Sequence, residues 1–438
     1  MYVMRRQPSQ HSASRSRGVA ALTVVMILFF VMALVAAYTN RNLVFEQRIS
    51  ANSYRSARAL DASEGAIDWT LSMLNGGRIN ASCASSNTIT DNDFRGNYLR
   101  LVDIGEPDNP GRYEVVWKLN PAQKMFPACI SKDGVLSCIC PTLTDRTPAI
   151  ATPADGIGTA FNVSLRTPTN ELQPGTLNID ALGCASIGTG AGACYNQAPL
   201  SQRQVVSDAK SGVRAGIGLV QALPVPPEAT LTVGGGIVMN AGALTVTNEG
   251  TRRNGTQKII VDNTTPANNW FRFRFGVDSA TFKNQPAVVT IDCSAGCDSS
   301  NLADIHARFP RNPIWIEGNL TISSADQLGS MPHLPVPPNV PTPSTPGNVN
   351  DWNPIMLIVN GRLTVAADVR IVGFVHASDV SWASPGATLY GAIITPGIFT
   401  GTADAKLNYR ADLLEFIGLY YGSFVRVPGS WKQLNTIS

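Results

Sequence analysis

The sequence predicts an α+β protein with a long N-terminal helix, an antiparallel sheet that the helix covers, and a mainly-β, solenoid-like (β-helix-like) C-terminal domain. Three observations support this fold class. An apolar run without charged residues fills residues 19–38, directly behind a basic leader. Apolar residues then recur at helical spacing up to residue 77. Beyond that point, short apolar strands separated by glycine and proline dominate, and this composition favours strands over helices.

The apolar run at residues 19–38 has the length of a membrane-spanning helix. A helix rises about 1.5 Å per residue, so the run spans about 30 Å, the thickness of the hydrocarbon core of a bilayer. Three interpretations are open: a secretory signal cleaved after Val35-Ala36-Ala37, a permanent anchor, or a segment behind a short cleaved leader. The run is longer than the apolar core of a secretory signal, which disfavours the first.

The second half of the helix, residues 39–77, is predicted to be amphipathic and to continue past the membrane. No proline interrupts it, and Gly76-Gly77 ends it. Small residues would let the helix approach a sheet closely. The residues that we expect to serve helix packing and assembly are Ile49, Ala57, Leu60, Glu64, Ile67, Leu71 and Leu74.

Three segments of the helix form a recognisable pattern: S-R-G-V-A-A-L-T-V-V-M-I-L-F-F at residues 16–30, F-E-Q-R-I-S-A-N at residues 45–52, and A-L-D-A-S-E-G-A-I at residues 59–67. Over residues 17–74 they resemble the PilX N-terminal family, the minor pilins of type IV pili. The resemblance implies that residues 1–18 are a prepilin leader. It also implies that a prepilin peptidase cuts after Gly18 and methylates Val19 as the new N-terminus.

The fifth residue of the expected mature chain departs from the major pilins. The resemblance implies a glutamate that neutralises the N-terminal amine of a neighbouring subunit, whereas this chain has Thr23. A charged side chain at mid-membrane costs about 2.5 to 3.5 kcal/mol, so it is retained where a partner stabilises it. We expect a subunit that needs no such partner. The alternative is that Thr23 simply makes a better anchor.

All eight cysteines lie beyond the apolar run, which indicates an oxidising compartment. Basic residues flank the run equally, so the cysteines decide the orientation: a single pass through the inner membrane with the C-terminal part in the periplasm.

Local pairs are expected for Cys184 with Cys194 and for Cys293 with Cys297. Zinc is disfavoured because paired C-x-x-C motifs are missing. The remaining four cysteines are expected to pair among themselves: Cys83, Cys129, Cys138 and Cys140.

Residues 78–222 are predicted to form a pilin-like α/β domain, in which the amphipathic half of the helix covers an antiparallel sheet. Alternating apolar residues place strands at residues 113–119, 160–165, 176–182 and 213–223. The segment D-N-D-F-R-G at residues 91–96 is similar to a calcium loop. Arg95 occupies a ligand position, so we interpret the segment as a turn.

Residues 223–438 contain internal repeats. L-T-V or L-T-I recurs at residues 231, 244, 320 and 363, and G-F-V-H-A at Gly373 is repeated as G-A-I-I-T at Gly391, an offset of 18 residues (391 − 373). Short strands at such spacing predict a β-solenoid, with a second antiparallel sandwich as the alternative. Two insertions interrupt the pattern: residues 248–312 and a proline-rich loop at residues 331–347.

The sequence gives little support to catalysis or nucleic-acid binding. The formal net charge is only +3, and no basic stripe interleaved with aromatics was recognised. With four histidines and no nucleophile motif, His376 is expected to be a hydrogen-bonded structural residue. We therefore predict a structural protein without a cofactor or metal, rather than an enzyme.

The resemblance implies a minor pilin that helps to initiate or cap a type IV pilus at its tip. Its partners would be other minor pilins, the major pilin, prepilin peptidase, the inner-membrane assembly platform and the lipid bilayer. The chain would lie in the inner membrane before assembly and on the pilus afterwards. Two alternatives remain: a tip adhesin that binds a surface ligand through its C-terminal domain, and a tip pseudopilin of a type II secretion system.

Overall fold

The computed structural model describes residues 17–102, 112–116, 126–141, 158–168, 175–187, 207–248, 259–325, 327–331 and 352–434. It divides into two units, Met1–Ala57 and Arg58–Ser438. In the first unit the described residues are all helical. Residues 1–16 of the expected leader, Cys194 and residues 332–347 of the expected proline-rich loop lie outside the described residues.

The helices are, in chain order, α1 (Arg17–Asn75), α2 (Phe94–Tyr98), α3 (Ala267–Phe275), α4 (Ser279–Lys283), α5 (Leu302–Arg308) and α6 (Ala411–Tyr420). The strands before residue 230 are β1 (Leu99–Val102), β2 (Arg112–Val115), β3 (Ala128–Lys132), β4 (Val135–Ile139), β5 (Thr159–Arg166), β6 (Thr176–Ile187) and β7 (Ser207–Gln221). The next are β8 (Leu231–Val233), β9 (Gly236–Met239), β10 (Leu244–Asn248), β11 (Ile259–Val261), β12 (Val289–Asp298), β13 (Ile314–Ile322) and β14 (Gln327–Leu328). The last are β15 (Ile355–Val365), β16 (Arg370–Trp382), β17 (Thr388–Thr395), β18 (Ile398–Gly401), β19 (Ala405–Tyr409), β20 (Gly422–Arg426) and β21 (Lys432–Leu434).

A seven-stranded antiparallel sheet in the second unit confirms the predicted sheet behind the helix. Its order is β20-β7-β6-β5-β3-β4, and β21 also pairs with β7. The predicted strands at residues 160–165, 176–182 and 213–223 correspond to β5, β6 and β7. The expected domain boundary at residue 223 is corrected, because β20 and β21 at the end of the chain also belong to this sheet.

The last turns of α1 pack directly on this sheet. Ala59, Ala66, Ile67 and Leu74 of the helix are fully buried. A Cβ atom at Gly183 of β6 would lie 2.1 Å from the carbonyl oxygen of Ala59 and 2.5 Å from the amide nitrogen of Ser63. The helix backbone therefore approaches the strand so closely that only glycine fits at this position.

A twelve-stranded sheet occupies the region where repeats were recognised, and every pair in it is parallel. Its main order is β10-β19-β17-β16-β15-β13-β12. The antiparallel sandwich alternative is therefore wrong. The repeats lie in register, because Gly373 pairs with Gly391 and Leu320 pairs with Leu363.

Short helices beyond residue 77 were not expected from the composition. The structure has α2 to α6 there, and part of the expected insertion at residues 248–312 is β12, a strand of the parallel sheet. Helix α6 contacts β16 and β17 of the parallel sheet as well as β7 of the antiparallel sheet. It is apolar on most sides because it is buried between two sheets, which hides the amphipathic period by which helices are recognised.

Replacing Gly183 with alanine should destabilise the protein by about 1 to 3 kcal/mol, because the added methyl group would force α1 away from β6. Gly65→Ala is the matched control: its Cβ would meet no atom within 4 Å. Alanine there should stabilise the helix by about 0.5 to 1 kcal/mol. Urea unfolding of the detergent-solubilised chain measures both effects. Equal responses would show that the close contact between helix and strand is absent.

Candidate functional site

The described part of the first unit is a helix, and its residues 19–38 carry no charged side chain. Every described side chain from residue 21 to residue 54 is exposed, and Phe29, Phe30 and Phe45 are 71%, 67% and 65% exposed. Among the described residues, α1 is the one helix that is long and apolar enough, by length and composition, to cross a membrane. An exposed apolar surface of this size indicates contact with lipid or with other proteins.

The residues predicted for packing and assembly fall into two groups. In the first unit and at the start of the second, side chains are exposed: Thr23, Ile49, Ala57 and Glu64. Further along the helix, Leu60 and Leu71 are half-buried, and Ile67 and Leu74 are fully buried in the core. Ile67 and Leu74 therefore pack inside their own subunit, and the exposed residues of the set remain the predicted assembly face.

The end of α1 is held by the helix-end cluster, which consists of Asn75, Asp93, Arg95, Arg311 and Asn312. The Asn75 side chain pairs with the backbone of Phe424 as a neighbouring strand would. Its Nδ2 donates to the Phe424 carbonyl oxygen at 2.9 Å, and its Oδ1 accepts from the Phe424 amide at 2.8 Å. The last residue of the helix is thereby fixed to β20.

Arg95 enters this cluster from α2, whose N-terminus is capped by Asp93. Its guanidinium donates to the carbonyl oxygen of Leu74 and, at 2.7 Å, to that of Gly422, and it lies 4.8 Å from the ring centroid of Phe424. Burial lowers the pKa of Arg95. A buried guanidinium is tolerated only with hydrogen-bond acceptors around it, and these carbonyl groups supply them.

Arg311 and Asn312 connect the same cluster to the segment that precedes β13. Arg311 forms an ion pair with Asp93, and both side chains are buried. Burial alone would lower the pKa of Arg311, but the carboxylate of Asp93 raises it above its usual range. Asn312 Nδ2 donates to the carbonyl oxygens of Asn75 at 2.8 Å and Ala287 at 2.7 Å.

Residues 17–68 match the family model described as PilX N-terminal. The N-terminal helix belongs to the PilX N-terminal family. The chain is therefore type IV pilin-like, and an exposed apolar helix that ends in a β-rich head agrees with this match. The matched segment ends before the sheets begin.

No curated protein sequence matches the chain. Among solved structures, the competence-associated pilin ComZ from Thermus thermophilus aligns over 87% of this chain and 98% of its own, with 9% identity and a TM-score of 0.22. A TM-score of this size does not define a shared fold.

Disulfide bonds cross-link the β-rich part of the chain that follows the PilX-type helix. Cys83 is bonded to Cys140 and Cys129 to Cys138, so these four cysteines pair among themselves. Cys293 is bonded to Cys297. Cys184 is also disulfide-bonded, and no described cysteine is free. The Cys129–Cys138 bond joins residues that lie opposite each other on β3 and β4.

His376 is buried, but it is not the hydrogen-bonded histidine that the sequence analysis expected. Neither ring nitrogen has a hydrogen-bond partner among the described residues. The ring packs edge-on against Phe271 and Phe275 of α3, at centroid distances of 5.3 and 5.6 Å. Burial lowers the pKa of His376 to about 4, so the ring is neutral at physiological pH.

Within the described residues, no group of His, Cys, Asp and Glu side chains is arranged to hold a metal ion.

The helix-end cluster was missed by sequence reasoning. Residues 91–96 were interpreted as a turn, although Asp93 caps the short helix α2 and Arg95 is almost fully buried. An aspartate followed by a short helical stretch is a capping signal. The burial of Arg95 has no local signal, because its acceptors Leu74 and Gly422 are distant in sequence.

Replacing Arg311 with methionine should cost about 3 to 5 kcal/mol of stability, because Asp93 would remain buried without its partner. Arg426→Met is the matched control. Arg426 also links α1 to β20, through Asp68 at 2.6 Å, but that pair is exposed and should contribute about 0 to 1 kcal/mol. Urea unfolding of the full chain in detergent measures both. A loss for Arg311→Met no larger than that for Arg426→Met would contradict the role given to the cluster.

Proposed function

We propose that the chain is a minor pilin, anchored in the inner membrane by α1 and later incorporated into a type IV pilus. The observation that carries this proposal is the division of α1. Residues 21–38 are exposed and without charge, whereas side chains of its last turns are buried in the head. Lipid would cover the exposed part before assembly, and helices of other minor pilins and of the major pilin would cover it afterwards. The assembly platform would transfer it between these environments.

The same proposal includes a β-solenoid between residues 223 and 421. Parallel pairing throughout the larger sheet supports it, as does the register of the 18-residue repeat. Residues Leu231, Ile314, Leu357, Val375 and Ile393 form one continuous row of paired positions across the strands, and all are fully buried. Such a row is what stacked rungs with a shared core would produce.

We place the subunit at the tip of the filament. In a helical filament each head must fit the lateral lattice, and here a large β domain is added to the pilin-like sheet. At the tip no subunit lies above, so the added domain has room to project. Thr23 supports the same position, because the first subunits of a filament meet no amine of an earlier subunit and need no carboxylate to neutralise it.

Processing by prepilin peptidase should leave Val19 as the mature N-terminus, carrying an N-methyl group. Mass spectrometry of the chain purified from its native host tests this. Gly18→Leu should keep the leader attached, because the cleaved bond follows Gly18. A mature chain that starts at Tyr38 would instead indicate a secretory signal, and one that starts at Met1 a simple anchor.

Immunogold labelling with an antibody fragment against residues 223–421 should mark the tips of sheared pili. The added domain is the reason, because it would collide with neighbours at repeated lattice positions. An antibody against the major pilin is the control and should label the whole length. Gold particles spread evenly along the filament would contradict tip placement, and their absence from filaments would contradict incorporation.

A further inference from the structure

Helices α3 and α4 cover one face of the parallel sheet, and we call them the aromatic cover. The contact is made by three phenylalanines of the helices and three rings of the sheet: Phe271, Phe275 and Phe282 against Trp315, Phe374 and His376. Both ends of the segment are tied to the head. The Asp262 amide donates to the carbonyl oxygen of Val233 at 2.8 Å, and the Ala287 amide donates to Oγ of Ser423 at 3.0 Å.

His376 occupies a position that the neighbouring strands fill with apolar side chains. It lies in register between Ile358 of β15 and Ile394 of β17, and both isoleucines are fully buried. The 18-residue repeat that pairs Gly373 with Gly391 also pairs His376 with Ile394. The pattern of the sheet therefore calls for isoleucine here, and packing does not account for a histidine.

The environment of His376 also differs from that of an ordinary structural histidine. Both of its ring nitrogens are buried without a hydrogen-bond partner. By contrast, Nε2 of the buried His306 lies 3.1 Å from the carbonyl oxygen of Asn353. Buried polar atoms without partners destabilise a fold, so their presence in a native protein calls for an explanation.

We propose that acid opens the aromatic cover, and that protonation of His376 is the step that opens it. An imidazolium carries a charge and two N–H donors, and the contacting Phe271 and Phe275 rings offer no acceptor for them. The ring therefore takes up its proton from solvent as the cover moves away. Opening exposes a buried aromatic surface that includes Phe282 and Trp315. This change goes beyond the proposed pilin function and does not depend on it.

Burial of the ring, rather than a neighbouring charge, is what lowers the pKa of His376. Charged and titratable side chains do occur on the elements around it: Arg272 and Arg274 on α3, Lys283 on α4, Glu317 on β13, Arg362 on β15, Arg370 and Asp379 on β16, and Tyr390 on β17. Lys283 of the cover binds Glu317 at 2.7 Å. Hydrogen bonds from Lys283, Trp315 and Asn360 lower the pKa of Glu317 to about 2, so this link stays ionised at pH 5.

The pH range of opening follows from the two states of the ring. Burial lowers the pKa of His376 from its usual 6.5 to about 4 in the closed state, whereas a solvated ring in the open state has the usual value. The closed state therefore has its full stability above pH 6.5 and loses it as the pH falls from 6.5 to about 4. Linkage makes the equilibrium constant for opening about 20-fold larger at pH 5 than at pH 7.

Hydrogen–deuterium exchange of the full chain in detergent tests this directly. Protection factors in residues 269–283, corrected for the intrinsic exchange rate at each pH, should fall about 20-fold between pH 7 and pH 5. Those of α6, which contains no histidine, should change by less than about threefold. His376→Ile restores the residue that the repeat has at Ile394, and His376→Phe keeps a ring beneath the cover. Each should limit the fall in residues 269–283 to less than about threefold.

His306→Gln is the matched control, because His306 is the other buried histidine among the described residues and burial lowers its pKa to about 4 as well. Residues 269–283 of this variant should respond to acid as in the unaltered chain. The proposal is overturned if these residues are equally protected at pH 7 and pH 5, or if α6 loses as much protection as they do. It is also overturned if a folded His376 variant keeps the full fall, or if His306→Gln abolishes it.

Discussion

The head is organised around one constraint: the C-terminal end of α1 is buried, so its carbonyl groups must find donors inside the protein. The last carbonyls of any helix lack partners within the helix. Here Arg95 donates to the carbonyl of Leu74, and Asn312 donates to that of Asn75. These hydrogen bonds place the guanidinium of Arg95 in the core. A buried guanidinium costs several kcal/mol of stability unless acceptors surround it. The end of the helix and the residues around it are therefore stable only together.

This constraint explains why the end of the chain returns to the antiparallel sheet. Gly422 supplies an acceptor for Arg95, and Phe424 pairs with the Asn75 side chain. The same strand pairs with β7, where Gly422 lies opposite Gln221. The chain thus leaves the sheet after Gln221 and re-enters it at Gly422, at neighbouring positions. The parallel sheet is an insertion into the antiparallel sheet, and an insertion whose two ends lie side by side leaves the host sheet intact.

Local patterns were sufficient to predict a large part of this architecture. Gly76-Gly77 gave the end of α1, which the structure places at Asn75, and alternation of apolar residues gave β5, β6 and β7. The 18-residue repeat matched the register between β16 and β17. The hairpin of β3 and β4 was overlooked, although Asp133-Gly134 is a turn signal. Its two residues adopt positive φ values of 51° and 78°.

Other features could not be predicted from local patterns because distant residues create them. The cluster around Arg95 joins α1, α2, the segment before β13 and the last strand. The return of β20 to β7 depends on the same contacts. Helix α6 is apolar apart from Asp412 and Glu415 because it packs against both sheets. Each of these features depends on contacts between residues that are distant in sequence, and those contacts form only when the two sheets pack together.

The end of α1 depends on both sheets. Its buried turns fit the antiparallel sheet closely, as the contact of Gly183 with Ala59 and Ser63 shows. The inserted domain holds the same helix end through Arg311 and Asn312, and one core cluster joins Leu74 of the helix with Trp315 and Phe416 of that domain. The inserted domain is therefore part of the support of the helix, and a change in its core would be felt at the helix end.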